Sequence, residues 1–234
     1  GHITAGMCSR KPILKIDSLI YMNTVRYVAM CLVLMLQCLV LSAQVFSVHE
    51  IPDSIWTRML GRSYPQGCEV RRSDLRYLEL SYVDFEGQEH VGQMVCNKQI
   101  ADDLLYIFRR LYEARYPIAS MRLIDDFDAD DSRSMAANNT SCFCYRRVAG
   151  STALSKHSRG MAVDVNPLYN PCVYVRSGRV LPPEGKAYAH DRDRRKDIPG
   201  KIDTADLCYR LFVSRGFRWG GAWRTLKDYQ HFER

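Results

Sequence analysis

The sequence predicts an α+β fold on three observations: two strand-like runs around a turn, an apolar stripe at helical spacing after them, and a second helical pattern leading into a strand-like C-terminus. Tyr77 to Phe85 and His90 to Cys96 flank Glu86-Gly87, which is a hairpin signal. Asn97 then stands where a helix cap belongs. Beyond it Leu104, Leu105, Phe108, Leu111 and Tyr112 recur every three or four residues up to Tyr116-Pro117, so the stripe is a core face. Ile118 to Asp125 reads as a further strand running into a polar loop, Asp125 to Asn139. The acids of that loop lack the spacing and closing glutamate of a calcium loop. Asp203-Thr-Ala-Asp206 opens the second helix, with Leu207, Leu211 and Phe212 inward and Gly216 as its left-handed end. If the last residues form a strand, His231 and Glu233 lie on one face.

The rest of the chain divides by composition. At 47% hydrophobic and 25% charged, 234 residues make one globular domain and a short extra segment. Residues 27–41 form an apolar run after Arg26 and before Ser42-Ala43-Gln44, a signal-peptide pattern with Met22 as a natural start. The run is shorter than the roughly 20 residues of a spanning helix, although an uncleaved anchor is the alternative. Residues 1–44 are therefore an N-terminal extension with its signal, 45–74 a linker or wrapping segment, and 75–234 the main domain. Export to the periplasm or beyond is expected, with no membrane contact other than through that segment, and a monomer suffices. Residues 1–43 carry four bases and one acid, so three of the seven net positive charges fall there and +4 remains. That suits an anionic polymer and excludes a nucleic-acid stripe. Of nine cysteines, Cys68, Cys96, Cys142, Cys144, Cys172 and Cys208 fall in the exported part, where disulfides are open to them. Cys142-Phe-Cys144 lacks the gap of a zinc knuckle.

Two segments carry chemistry. In Ser155-Lys-His157-Ser-Arg-Gly160-Met-Ala162-Val-Asp164 a histidine and an aspartate have six residues between them, a glycine and a small apolar run among these. At the C-terminus, Trp219-Gly-Gly-Ala-Trp223-Arg-Thr-Leu-Lys-Asp228-Tyr-Gln-His231-Phe-Glu233 adds a second histidine with an acid three residues before it. His157, Asp164 and His231 read as three ligands of one metal. Two imidazoles and a carboxylate suit Zn2+ and leave its fourth position open for catalysis. Asp228, beside the metal, has the task of moving a proton. Glu233 stands where a carboxylate orients an imidazole. Trp219 and Trp223 flank a Gly-Gly pair that lets backbone approach a ligand. A two-histidine, one-carboxylate iron site is the rival, but those begin with His-x-Asp and give Asp228 no task. His190, among loop charges in the insertion Val175 to Pro199, reads as solvated.

Ser-x-His-x-x-Gly-x-Ala-x-Asp followed by Trp-x-x-x-x-Asp-x-x-His-Phe-Glu resembles the VanY-type zinc peptidases, which cut bacterial cell-wall peptides. The resemblance implies a Hedgehog/DD-peptidase-like α+β fold, whose small antiparallel sheet carries the zinc between flanking helices. It implies His157, Asp164 and His231 as zinc ligands and Asp228 as catalytic acid/base. An arginine ahead of the first motif would meet the carbonyl oxygen as it becomes an oxyanion; Arg122 matches, with Arg146 as its rival. Ser155, Tyr145 and Trp223 would face substrate, and Asn139-Thr-Ser141 would line the groove unless it is a glycosylation acceptor. The implied substrates are peptidoglycan stem peptides. The implied activity is that of a D-alanyl-D-alanine carboxypeptidase, with an L-alanyl-D-glutamate endopeptidase or an inactive, zinc-containing wall-binding module as alternatives.

Overall fold

The computed structural model describes residues 1–2, 21–28, 30, 44–148 and 151–234, in two compact units, Gly1–Ala43 and Gln44–Arg234. In the first unit residues 21–28 are helical. Most of the apolar run 27–41, with Cys8, Cys31 and Cys38, lies outside the described residues. Among the described residues no helix is long and apolar enough to cross a membrane.

The second unit has an α+β fold of three small antiparallel sheets and short helices. Its first sheet runs β1 (Phe46–His49), β2 (Leu75–Val83), β3 (Glu89–Asn97), with β2 in the centre. Because side chains alternate across a strand, β2 and β3 divide two cores. Leu78, Leu80, Met94 and Cys96 face the larger one, together with Leu104, Ile107, Phe108 and Leu111 of helix α2 (Ala101–Glu113). Leu75, Tyr77 and Val95 face the smaller one, with Ile55 and Met59 of helix α1 (Asp53–Met59). Residues 45–74, open between linker and wrapping segment in the sequence, thus give this unit a sheet edge and a helix.

Local chemistry explains several departures from the sequence reading. Asn97 does not cap α2: its side-chain oxygen accepts from Gln99 N in a turn, and α2 starts without a side-chain cap. Ile118–Ile124 forms no strand; only isolated bridges join Pro117 to Val83 and Ser120 to Asn139. The polar loop after it is partly helical. Asp130 accepts from Ser132 N and Arg133 N and so starts the short helix α3 (Asp131–Ala136). Asn139 is fully buried and braces this loop through Arg122 N and O, Ser120 and Ser134. It neither lines a groove nor offers an amide for glycosylation. The six cysteines of this unit are all unpaired. Five are buried as small apolar fillers, and Cys142 and Cys144 direct their thiols at the Gly160 and Ala129 carbonyls.

Two three-stranded sheets complete the unit. One orders β4 (Ala162–Asp164), β9 (His231–Glu233) and β7 (Arg218–Trp219), and the other β6 (Val180–Leu181), β5 (Cys172–Tyr174) and β8 (Leu226–Asp228). Alternation again sorts the residues. Val163 and Phe232 are wholly buried in the larger core, where Phe232 stacks at 4.2 Å on Phe212 of helix α4 (Leu207–Ser214). Their neighbours Asp164, His231 and Glu233 are left on the opposite face.

Candidate metal centre

Each half of the centre is set by its backbone. Asp164 and His231 are directly paired across β4 and β9, which brings residues 67 positions apart onto one spot. His157 comes from a 3-10 turn, Lys156–Arg159, started by Ser155, whose hydroxyl accepts from His157 N at 3.2 Å. Gly160 ends that turn at φ +66°, and a Cβ there would lie 2.6 Å from Asn97 N, so only glycine permits both the conformation and the packing.

The three side chains converge. His157 Nε2 is 3.2 Å from His231 Nδ1 and 3.1 Å from Asp164 Oδ2, and His231 Nδ1 is 3.0 Å from Asp164 Oδ1. All three residues are buried, and they are the group of three or more potential ligands that the described residues bring within 4.8 Å. Two donors each about 2.0–2.1 Å from one tetrahedral ion stand about 3.3 Å apart, so this triangle is close to the size zinc asks for. The far ring nitrogens are fixed as well. His157 Nδ1 donates to the Cys142 carbonyl at 2.7 Å, and His231 Nε2 faces Glu233 Oε2 at 3.4 Å. When both rings are neutral, a proton on each outer nitrogen leaves the inner nitrogens as acceptors toward the shared point.

Charges follow from this packing. Burial alone would raise the Asp164 carboxyl, but the two imidazoles outweigh it and hold it well below the usual range. Burial would lower the His231 imidazolium, yet hydrogen bonds to Asp164 and Glu233 raise it to about 10. Asp228 comes from the other sheet, paired across β8 and β5 with Cys172. Its Oδ1 is shielded from water and has no hydrogen-bond partner. Desolvation lifts its pKa to about 6; the nearby His231 opposes the rise and Asp164 adds to it. Gly220 makes room for it, since a Cβ at that position would lie 2.7 Å from Asp228 O.

An open cavity holds these residues. His157, Asp164, His231, Asp228, Glu233, Ser155 and Trp223 all line it. The Trp223 ring stands 5.3 Å from that of His231, whereas Trp219 belongs to the core and donates to the Tyr229 carbonyl. Two expected residues are elsewhere. Arg122 is on the surface, held by Asp126 at 3.0 Å, and its place in the sequence ahead of the motif does not bring it to the cavity. Arg146 lines the cavity instead. It reaches Asp131 at 2.9 Å, and its Nε is buried without a partner. Its backbone is clamped by Ser155 and Ser158, at the turn that carries His157. Tyr145 packs on the smaller core and lies outside the cavity wall. His190 is exposed and outside the group of ligands.

Sequence reasoning had no signal for the apolar walls, Met135, Val148, Leu154, Tyr174, Leu181 and Leu226, or for Gln230, which is buried at the cavity with its Oε1 unpaired. Nor did it foresee that Asp131, in the acidic loop, holds the cavity arginine.

The family model described as D-alanyl-D-alanine carboxypeptidase matches residues 149–234, the segment that contains His157, Asp164, Asp228 and His231. The match and the His/Asp/His group together support a metallopeptidase. No curated protein and no solved structure matches the chain.

Proposed function

We propose that the protein is a zinc-dependent D-alanyl-D-alanine carboxypeptidase acting on peptidoglycan stem peptides outside the cytoplasm, where the signal-like run 27–41 would send it. The observation that carries this reading is a buried triangle of two imidazole nitrogens and a carboxylate in a cavity that also holds an unpaired carboxylate oxygen of Asp228 and an unpaired Nε of Arg146.

His157, Asp164 and His231 would hold the ion. Bound there, zinc supplies a Lewis acid that polarises the scissile carbonyl and makes water acidic. Asp228 takes the proton of the attacking water on its free Oδ1. As the water oxygen bonds to the carbonyl carbon and the C–N bond breaks, Asp228 returns that proton to the leaving amine. A carboxyl with a pKa near 6 suits both halves of this relay. Arg146 turns its unpaired Nε toward the carbonyl oxygen, where negative charge develops. The Cys142 carbonyl and Glu233 keep both imidazoles in the ligating tautomer. Trp223 and Leu226 shed water and accept the small alanine methyl groups.

The test is elemental analysis of protein purified without added metal, then mass measurement of purified muropeptides digested with and without chelator. Loss of one D-alanine, abolished by chelator and restored by zinc, is the expected result. Release of a whole stem would make the protein an endopeptidase. Bound zinc with no product would make it a wall-binding module, and bound iron would remove the zinc assignment.

A further inference from the structure

The metal cavity has a neighbour. Leu154 is a wall of both the cavity and a second, polar groove formed by Tyr145, Asn97, Arg159, Glu69 and Asp74. Arg159 is the last residue of the 3-10 turn that carries His157, so its place relative to the metal centre is fixed by one turn of backbone. That backbone is anchored on its far side: Asn97 Nδ2 donates to Arg159 O at 3.1 Å and Asn97 N to Gly160 O at 2.9 Å.

The side chains of the groove divide by whether they are satisfied. Asp74 is engaged by Arg71 and Lys98, each at 2.8 Å. Arg159 and Glu69 form no ion pair among the described residues and are exposed. A cation on a fixed backbone, opening into a groove that shares a wall with the reaction cavity, is placed to meet a charged part of the same substrate. From this we propose that Arg159 is a specificity-determining residue, which binds a free carboxylate of the stem peptide on the side of the scissile bond away from the leaving D-alanine. Glu69, in the same groove, is complementary to an amine on that peptide. Tyr145 supplies the apolar floor between them. The inference rests on the peptidase reading for its choice of ligand.

Chain length of the substrate is the readout, because N-acetyl-D-Ala-D-Ala has no residue beyond the two alanines and no side-chain carboxylate to offer Arg159. With zinc-loaded full chain, Arg159→Gln is expected to raise KM for an acid-bearing stem pentapeptide on the order of tenfold, the worth of one exposed charge-assisted contact. Its kcat on the pentapeptide and both constants on the dipeptide should stay within about twofold. Arg159→Lys keeps the charge and is expected to restore most of the loss. An unchanged pentapeptide KM overturns the proposal, and so does an equal loss on both substrates, which would mean that the substitution acts through the His157 turn. If the wild-type protein cleaves neither peptide, the peptidase reading has failed. Calorimetric binding of the pentapeptide to wild type and Arg159→Gln then decides the groove separately: weaker binding by the variant supports it and equal binding ends it.

Discussion

Asp228 and Glu233 are both carboxylates beside His231, yet their surroundings give them opposite tasks. Glu233 faces the outer nitrogen of His231 and also pairs with Arg218 at 2.7 Å, so its hydrogen bond to the imidazole keeps it ionised. Asp228 has an oxygen without any partner and a raised pKa, the condition of a group that exchanges a proton. Asp228→Asn is therefore expected to leave zinc bound and KM little changed while kcat falls on the order of 10² to 10⁴-fold. Loss of zinc in that variant would make Asp228 a ligand. Glu233→Gln should do the reverse: zinc affinity weaker by about 10- to 100-fold, the usual effect of removing a ligand's orienting partner, with kcat near normal once zinc is saturating. A zinc titration followed by turnover at saturation separates the two. His157, Asp164, His231 and Asp228 were legible as one cluster because motif spacing names them, and the fold brings them to one cavity. Arg122 and Arg146 were not separable by sequence, since the choice depends on where the segment 118–146 folds, and Asn139 decides that from inside the protein by fixing the backbone of Arg122.

At the level of elements, the hairpin showed through its turn at Glu86-Gly87, its strands packing against two cores, and both main helices through one apolar face against the larger core. The strands that carry the centre are two or three residues long, too short for any period to register. Their identity was recoverable only from the functional residues on them. The 3-10 turn of His157 depends instead on Gly160. Gly160→Ala forces a non-glycine residue to φ +66° and drives its Cβ against the Asn97 backbone. Gly178, at φ +67° with nothing within 4 Å of its Cβ position, is the matched control. The left-handed conformation alone costs about 1–2 kcal/mol, so Gly178→Ala should lose about that in urea unfolding. Gly160→Ala should lose clearly more and also bind zinc more weakly, because its turn positions Nε2. Equal losses in the two variants would show that the close approach to Asn97 is not a constraint.

For the molecule as a whole, metal, protons and stability are linked through His231. Its folded-state pKa, raised to about 10, lies above that of the unfolded chain. Without metal, the His231 imidazolium and the Asp164 carboxylate therefore stabilise the fold fully below the ordinary histidine pKa of about 6.5, and that contribution is lost as pH rises toward 10. Zinc needs the neutral ring and must displace this proton, so its contribution changes in the opposite direction. Between pH 6 and 8 the apparent zinc dissociation constant is expected to fall about tenfold per pH unit, with about one proton released per ion. Calorimetry in two buffers of different ionisation enthalpy measures that proton directly. At fixed zinc, the rise in Tm over the chelated protein should grow across the same interval, each tenfold in affinity adding about 1.4 kcal/mol. A zinc-induced rise in Tm that is flat from pH 6 to 8, with no buffer dependence of the binding heat, would mean that His231 is already neutral in the metal-free protein and that the Asp164–His231–Glu233 chain does not hold a proton.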